Sequence, residues 1–186
     1  MKQSSSTAAR RFSAHLTALI ALLAALFAVL PNSASAATLV SPDGLAAPKV
    51  LQKWVDASAL PTPNETITIR EGSGPCSAAA CSTYEPATVW MSAEAGRTDL
   101  LHEIGHHFDA QAMNPGARAA FTGLIGQGAR PWRGGANPPN ERFAVAYAMC
   151  ASSASQPDAN HWAYGYRPSV SQHRAVCGLI RQVAGS

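Results

Sequence analysis

Charged side chains are scarce in this sequence, at 13% of 186 residues, and neither sign dominates most of the chain. Three of the 14 basic residues, Lys2, Arg10 and Arg11, lie in the first eleven positions, where no acidic residue occurs. The chain from residue 37 onward carries 11 basic and 11 acidic side chains and is therefore neutral. Because nucleic-acid binding depends mainly on a net basic surface, we expect no nucleic-acid partner.

The sequence also lacks an apolar run of membrane-spanning length. The longest run, Leu16–Leu30, has about 15 residues with one threonine among them, whereas a bilayer span needs roughly 20. Basic residues precede this run, Pro31 follows it, and Ala34-Ser35-Ala36 has the small-x-small pattern that a signal peptidase requires. We therefore predict a signal peptide at residues 1–36 and a secreted, extracellular single domain at residues 37–186, without a membrane partner. An uncleaved membrane anchor is the alternative.

Cysteine is rare, and the four that occur have no CxxC spacing of the kind that favours a thiolate metal site. An exported chain meets an oxidising environment, so disulfides are expected. Four cysteines permit three pairings. We favour Cys76–Cys81, which closes a small loop, together with Cys150–Cys177, which joins two late segments; a thiolate metal site is the alternative.

The pattern of residues from position 37 onward predicts an α+β fold, with a small N-terminal sheet followed by helices. Residues 37–48 are expected to form an extended segment rich in proline and alanine. Runs of β-branched residues predict strands at 65–70 and 87–91. Apolar spacing and helix-stop signals predict helices at 50–60, 98–113, 117–125, 141–151 and 169–183. Turn-forming composition predicts loops at 72–81, 127–140 and 152–168.

The segment with the clearest chemistry is His102-Glu103-Ile104-Gly105-His106, an HExxH motif. On a helix, the two histidines are four residues apart and leave the same face, so both imidazoles can bind one metal ion. Glu103 lies about 100° round the helix from His102, where its carboxylate can reach a water beside the metal without being a ligand. This arrangement suits hydrolysis with zinc, in which the carboxylate takes the proton of the water.

A catalytic zinc needs a third protein ligand and one open position. A metzincin has a glycine turn and a third histidine after its HExxH motif. Asp109 and Ala112 occupy those two positions here, which excludes that class. Glu141 is our candidate, because the small residues that share its helical face would let its helix pack against the HExxH helix. The alternatives are Asp109, His161 and His173, and Glu141 itself could be a solvated residue at a helix start.

Taken together, these motifs resemble a gluzincin-type zinc metallopeptidase, in particular the catalytic domain of the anthrax lethal factor group. The resemblance covers roughly residues 87–150 and is carried by the His-Glu-x-Gly-His stretch running into Asp109 and by Glu141-Arg142-Phe143-Ala144. It implies a zincin-like fold, zinc ligands at His102, His106 and Glu141, and Glu103 as general base and acid. The tyrosine that this group carries before its ligand glutamate has no counterpart here, which leaves four candidates for oxyanion stabilisation, Tyr147, His161, Tyr164 and Tyr166.

The expected function is that of a secreted endopeptidase with one Zn²⁺ per chain and a peptide or protein substrate. The rivals are a secreted, disulfide-stabilised binding or inhibitor module without catalysis, and a zinc hydrolase of cell-wall material.

Four residues or segments near the motif carry secondary expectations. The strand at 87–91 is expected at the sheet edge that binds extended substrate, or else as an ordinary buried strand. Asp109 is expected either to accept the second ring N–H of His106 or to lie at the surface. His107 is expected to be a core-edge residue, and Trp132 either to line a cleft or to pack on it.

Overall fold

The computed structural model describes residues 37–128 and 130–185, so the predicted signal peptide at residues 1–36 lies outside the described residues. The described part of the chain has the α+β architecture that the sequence predicts, with a small mixed sheet and five α-helices. None of the helices in these ranges combines the length and apolar character needed to cross a membrane.

The sheet has four strands in the order β1-β2-β4-β3, with bounds β1 Thr38–Val40, β2 Thr66–Glu71, β3 Ala80–Tyr84 and β4 Ala87–Met91. β1 and β4 both pair with β2 in parallel, whereas β3 pairs with β4 as an antiparallel hairpin. Ile67, Ile69, Val89 and Met91 are buried. These apolar side chains join the sheet to the common core that it shares with the helices.

Three expectations about the sheet were wrong. Residues 80 and 81, assigned to a loop, begin strand β3, and residues 38–40 of the predicted extended segment pair with β2 as strand β1. The strand at Ala87–Met91 is not the sheet edge, because β3 lies between it and the end of the sheet. A strand of three residues and a hairpin arm depend on their partners more than on local pattern, which explains why both were missed.

The five helices agree with the predicted ones to within a few residues and are α1 Lys49–Asp56, α2 Arg97–Ala112, α3 Pro115–Leu124, α4 Pro139–Ser152 and α5 Val170–Ala184. α2 carries the HExxH motif and begins where the Asp99 carboxylate accepts the Gly96 N–H at 2.8 Å. α3 begins where the Asn114 side chain accepts the Ala117 N–H at 2.9 Å. α2 and α4 are largely buried and pack against each other at the centre of the core.

The contact between α2 and α4 is close because Gly105 has no side chain. A Cβ added at Gly105 would lie 3.0 Å from Cβ of Tyr147 and 3.1 Å from the Cα atom of Ala144. Ala144 and Ala148 also offer small side chains at this contact, as expected from the face they share with Glu141. The helix with the third candidate ligand therefore packs directly against the helix with the two histidines.

Both favoured disulfides are confirmed. Cys76 is bonded to Cys81, next to the start of β3, and Cys150 in α4 is bonded to Cys177 in α5. The second bond lies within the core, where both cysteines are fully buried. It fixes the C-terminal helix to the helix that carries Glu141.

We predict that Gly105→Ala destabilises the protein by about 1 to 2 kcal/mol. The added methyl group must displace α4, and the cost of that displacement exceeds the gain from replacing a glycine inside a helix. Urea unfolding followed by far-UV circular dichroism measures the change in the free energy of unfolding.

Gly178→Ala is the matched control, because Gly178 is exposed in α5 and an added Cβ would meet nothing within 4 Å. This change should raise the free energy of unfolding by about 0.5 to 1 kcal/mol. Equal changes in the free energy of unfolding for the two substitutions would show that the contact between α2 and α4 accommodates a methyl group at Gly105.

Candidate metal centre

His102, His106 and Glu141 form a group whose ligand atoms all lie within 4.8 Å of one another. The two histidines are one helical turn apart on α2, and Glu141 is in the first turn of α4. Nε2 of His102 is 3.2 Å from Glu141 Oε2, and Nε2 of His106 is 3.3 Å from the same oxygen. The three residues that were predicted as metal ligands are thus brought together by the contact between the two helices.

The spacing of these atoms fits a tetrahedral zinc ion. Zinc binds imidazole nitrogen and carboxylate oxygen at about 2.0 to 2.2 Å, so two ligands of a tetrahedron lie about 3.3 Å apart. The two distances from Glu141 Oε2 to the histidine nitrogens have this value. Three protein ligands, two imidazoles and one carboxylate, are also the ligand set of catalytic zinc sites that keep one position open.

The three side chains are electrostatically coupled. Burial by itself would raise the pKa of Glu141, yet hydrogen bonds from His102 and His106 outweigh that effect and hold the pKa well below its usual value. Burial lowers the pKa of His106, and the Glu141 carboxylate more than reverses this, so the pKa of His106 is raised. Glu141 is therefore an anion across the physiological pH range, as a metal-ligating carboxylate must be.

One neighbouring group orients a candidate ligand, and a second that was expected to do so does not. The Asn140 side-chain amide donates to Glu141 Oε1 at 3.1 Å, which leaves Oε2 to face the histidines. His106 Nδ1 is buried and has no hydrogen-bond partner among the described residues. Asp109 therefore does not accept the second ring N–H of His106, and that expectation was wrong.

Asp109 is not a surface residue either, because its side chain is completely buried. Arg118 Nε donates to its Oδ1 at 3.0 Å and Trp132 Nε1 donates to its Oδ2 at 2.9 Å. The ring of Trp132 packs on Phe121 and Phe143, so it belongs to the core and not to the cleft wall. Asp109 thus ties the loop before α4 to the HExxH helix.

Glu103 is the buried carboxylate of the centre to which no described side chain donates a hydrogen bond. It is only 6% exposed, yet among the described residues its carboxylate takes part in no hydrogen bond or ion pair. It lines two cavities that meet beside His102. A buried carboxylate that faces a cavity without a protein partner is available to a water molecule or a ligand there.

The other histidines in the described ranges have partners away from the three-residue group. His107 pairs with Glu65 at 2.9 Å and packs edge-on against Tyr84, which agrees with its expected place at the core edge. His161 Nε2 is 2.9 Å from Thr98 Oγ1, and its Nδ1 is 2.8 Å from Asp158 Oδ2. Neither histidine has its ligand atoms in the group around Glu141.

His173 belongs to a second cluster, in which its ring nitrogens lie near the sulfurs of Cys150 and Cys177. Its Nε2 is 2.7 Å from the Ser153 carbonyl oxygen. The two sulfurs are joined in a disulfide and offer no thiolate, so this cluster lacks the ligands of a metal site.

The four candidates for oxyanion stabilisation differ sharply in their surroundings. Tyr147 is buried and donates its hydroxyl hydrogen to the Pro61 carbonyl at 2.8 Å. The Tyr166 hydroxyl is buried, and Tyr166 lines neither of the two cavities beside Glu103. His161 lines one cavity but is engaged by its two neighbours. Tyr164 lines both cavities, and its ring stacks on that of His102 with 5.8 Å between the ring centres.

An unusual backbone holds Tyr164 in this position. Tyr164 has φ of 49° and the next residue, Gly165, has φ of 69°, so two successive residues adopt the left-handed conformation. A Cβ at Gly165 would lie 3.2 Å from the Arg142 guanidinium, so only glycine fits there without a shift. Non-glycine residues in this conformation cluster at functional sites, where the surrounding structure holds them.

The two cavities form one cleft that passes the metal centre. Their volumes are about 540 and 460 Å³, and both are lined by His102, Glu103 and Tyr164. Alternate residues of the edge strand β3 form one wall, because Ala80, Ser82 and Tyr84 share a strand face. This wall was not predicted from the sequence, although the β-branched and aromatic run Ser82-Thr83-Tyr84 before a turn was a signal for it.

Comparison of the chain with protein-family models, with curated proteins and with solved structures gives no match.

We predict that Glu141→Ala weakens zinc binding by more than about 100-fold, which exceeds the loss typical of a residue that only supports a ligand. The substitution removes one of three ligands and leaves two histidines on one helix face. Competition with a chromophoric chelator measures the zinc Kd, and far-UV circular dichroism tests whether the helices persist.

His161→Ala is the control, because it removes an imidazole that lines the same cleft but lies outside the ligand group. It should leave the zinc Kd unchanged. If the His161 variant loses zinc and the Glu141 variant retains it, the third ligand is His161 and not Glu141.

Proposed function

We propose that this protein is a secreted, zinc-dependent endopeptidase with a zincin-like, gluzincin-type catalytic domain. One observation carries the proposal. An unpartnered, buried carboxylate, Glu103, adjoins a complete set of zinc ligands at the point where two open cavities meet. A site that only held a structural zinc would have no use for that carboxylate or for the cleft.

The residues of the cleft would divide the chemistry between them. Zinc bound by His102, His106 and Glu141 would supply a Lewis acid that polarises a peptide carbonyl and makes water acidic near neutral pH. Glu103 takes a proton from the attacking water, whose oxygen forms the new bond to the carbonyl carbon. Glu103 then gives that proton to the leaving nitrogen as the C–N bond breaks, so that a carboxylic acid and an amine are released.

The shape of the cleft favours cleavage within a chain. Cavities continue on both sides of His102 and Glu103, so a substrate can extend in both directions from the reacting bond. Among the described residues, strand β3 has a neighbour on one side only, and its free edge can add an extended peptide as a further strand. Main-chain hydrogen bonds of this kind would hold peptides of varied sequence.

Export is supported by two features, the N-terminal sequence pattern and the two disulfides. Disulfides persist in oxidising compartments and are rare in reducing ones.

We predict that Glu103→Gln retains zinc at one equivalent per chain but lowers kcat/KM for peptide hydrolysis by about 10² to 10⁴-fold. The amide keeps the size of the carboxylate but cannot accept the proton of water. Zinc content is measured by atomic absorption after desalting, and hydrolysis is followed with a quenched fluorescent peptide library.

Glu71→Gln is the control, because Glu71 is exposed at the end of β2, outside the lining of the cleft. It should leave hydrolysis unchanged. If wild-type protein with a full equivalent of zinc hydrolyses no peptide in the library, the catalytic proposal is wrong.

We also predict that Tyr164→Phe lowers kcat by roughly 10²-fold with little change in KM or zinc Kd, as expected when one donor to the developing oxyanion is lost. The hydroxyl is the only group removed, and the ring can still stack on His102. Steady-state kinetics on the same peptide library separate kcat from KM.

Tyr166→Phe makes the same chemical change two residues away, at a hydroxyl that is buried outside the cleft. Its kcat should equal that of the wild type. Equal losses in the two variants would assign the effect to the loop and not to the Tyr164 hydroxyl.

A further inference from the structure

Arg133 is a cation in the wall of the cleft that lacks a full partner. It lines the cavity that also contains His106, Glu141 and Tyr84. None of its guanidinium N–H groups donates a hydrogen bond to a described residue, and its one ion pair, to Asp109, is long at 3.9 Å. About half of the side chain is exposed. A guanidinium can make up to five hydrogen bonds in a fixed planar array, so most of this capacity is free.

The charge of Arg133 is not neutralised by Asp109. The two oxygens of that carboxylate already accept hydrogen bonds from Arg118, at 3.0 Å, and from Trp132, at 2.9 Å. Arg118 and Asp109 thus form the balanced pair, and Arg133 is the surplus positive charge. The negative charges of Glu103 and Glu141 would be offset by a bound divalent ion. The net charge on the Arg133 side of the cleft would then be positive.

Arg133 is also held in position. Its guanidinium carbon lies over the ring of Tyr84, 5.1 Å from the ring centre, and that ring contacts His107 on α2. Stacking on an aromatic face leaves the edge of the guanidinium, with its N–H groups, free to bind a ligand. Tyr84 is the last residue of β3, so this cation lies beside the free edge of the sheet.

We propose that Arg133 binds an acidic side chain of the substrate, so that the protein selects peptides with Glu or Asp beside the reacting bond. The inference rests on the proposed function, since it assigns a substrate class to the same cleft. A planar guanidinium with free N–H groups matches a carboxylate in geometry and charge, and it can bind both oxygens at once.

The direction of β3 sets the side on which the acidic residue lies. Ala80, at the start of β3, lines both cavities, whereas Ser82 and Tyr84 line only the cavity with Arg133. A peptide added antiparallel to β3, the stronger pairing, enters with its N-terminal part beside Tyr84. The acidic residue therefore belongs on the N-terminal side of the bond that is cut.

Peptide binding to zinc-loaded Glu103→Gln protein tests the inference without turnover. The probes are three fluorescein-labelled peptides of one alanine- and serine-rich sequence that differ at a single position, which is Glu, Gln or Lys. Fluorescence anisotropy should give a Kd for the Glu peptide about three- to tenfold lower than for the Gln peptide, with the Lys peptide weakest. The preference should shrink as salt is raised, because the site is half exposed.

Substitutions at two arginines test whether Arg133 causes the preference for the Glu peptide. Adding Arg133→Gln to the Glu103→Gln protein should equalise the Glu and Gln peptides, and Arg133→Glu should make the Lys peptide the tightest. Arg130→Gln is the matched control, since Arg130 is an exposed arginine of the same loop that does not line this cavity. It should preserve the preference.

The inference is overturned by equal Kd values for the Glu and Gln peptides, by the absence of binding of any probe, or by equal effects of the Arg130 and Arg133 changes. Mass spectrometry of wild-type digestion products adds a further check, and cuts with the acidic residue on the C-terminal side would contradict the antiparallel arrangement. Charge selection by the Glu103→Gln protein without hydrolysis by the wild type would refute the proposed activity and leave the role of Arg133 standing.

Discussion

The close approach of α2 and α4 at Gly105 is the constraint on which the rest of the structure depends. With backbone and Cβ atoms of α4 near the glycine, a side chain in the first turn of α4 reaches the face of α2 that carries both histidines. The same contact orders the core, because Phe108 on α2 packs on Phe143 and Tyr147 of α4. Packing and ligand geometry are thus consequences of a single interhelical distance.

The carboxylates around this contact are held in different ways, and the difference defines their chemistry. Glu141 has two histidines and an asparagine as partners, and Asp109 has an arginine and a tryptophan, so both carboxylates are held in fixed positions. Glu103 is also buried but has no such partner among the described residues. Burying a charge without a partner is costly, and proteins retain such groups where a ligand or proton is to be exchanged.

Local sequence could predict the features whose geometry is determined within a single helix or a short covalent loop. His102, Glu103 and His106 follow from helical period, and the helix of Glu141 follows from its small apolar face. The partners of Asp109, the hairpin position of β3 and the placement of Tyr164 depend on contacts between distant segments. Arg133 was missed for the same reason, since one arginine in a glycine-rich loop has no pattern that reveals its neighbours. The sequence predicts the group of candidate ligands better than the cleft around it.

The disulfide between Cys150 and Cys177 has a consequence for the durability of a chain exposed to peptidases. The segment between these cysteines includes residues 160–164, which form part of the cleft wall and are among the more exposed in the described ranges. Exposed turns are preferred sites of proteolytic nicking. One cut in this segment cannot release α5, because both pieces remain covalently joined through the buried disulfide. A nicked molecule therefore keeps its C-terminal helix attached to the helix of Glu141, and the cut chain separates into two fragments only after reduction.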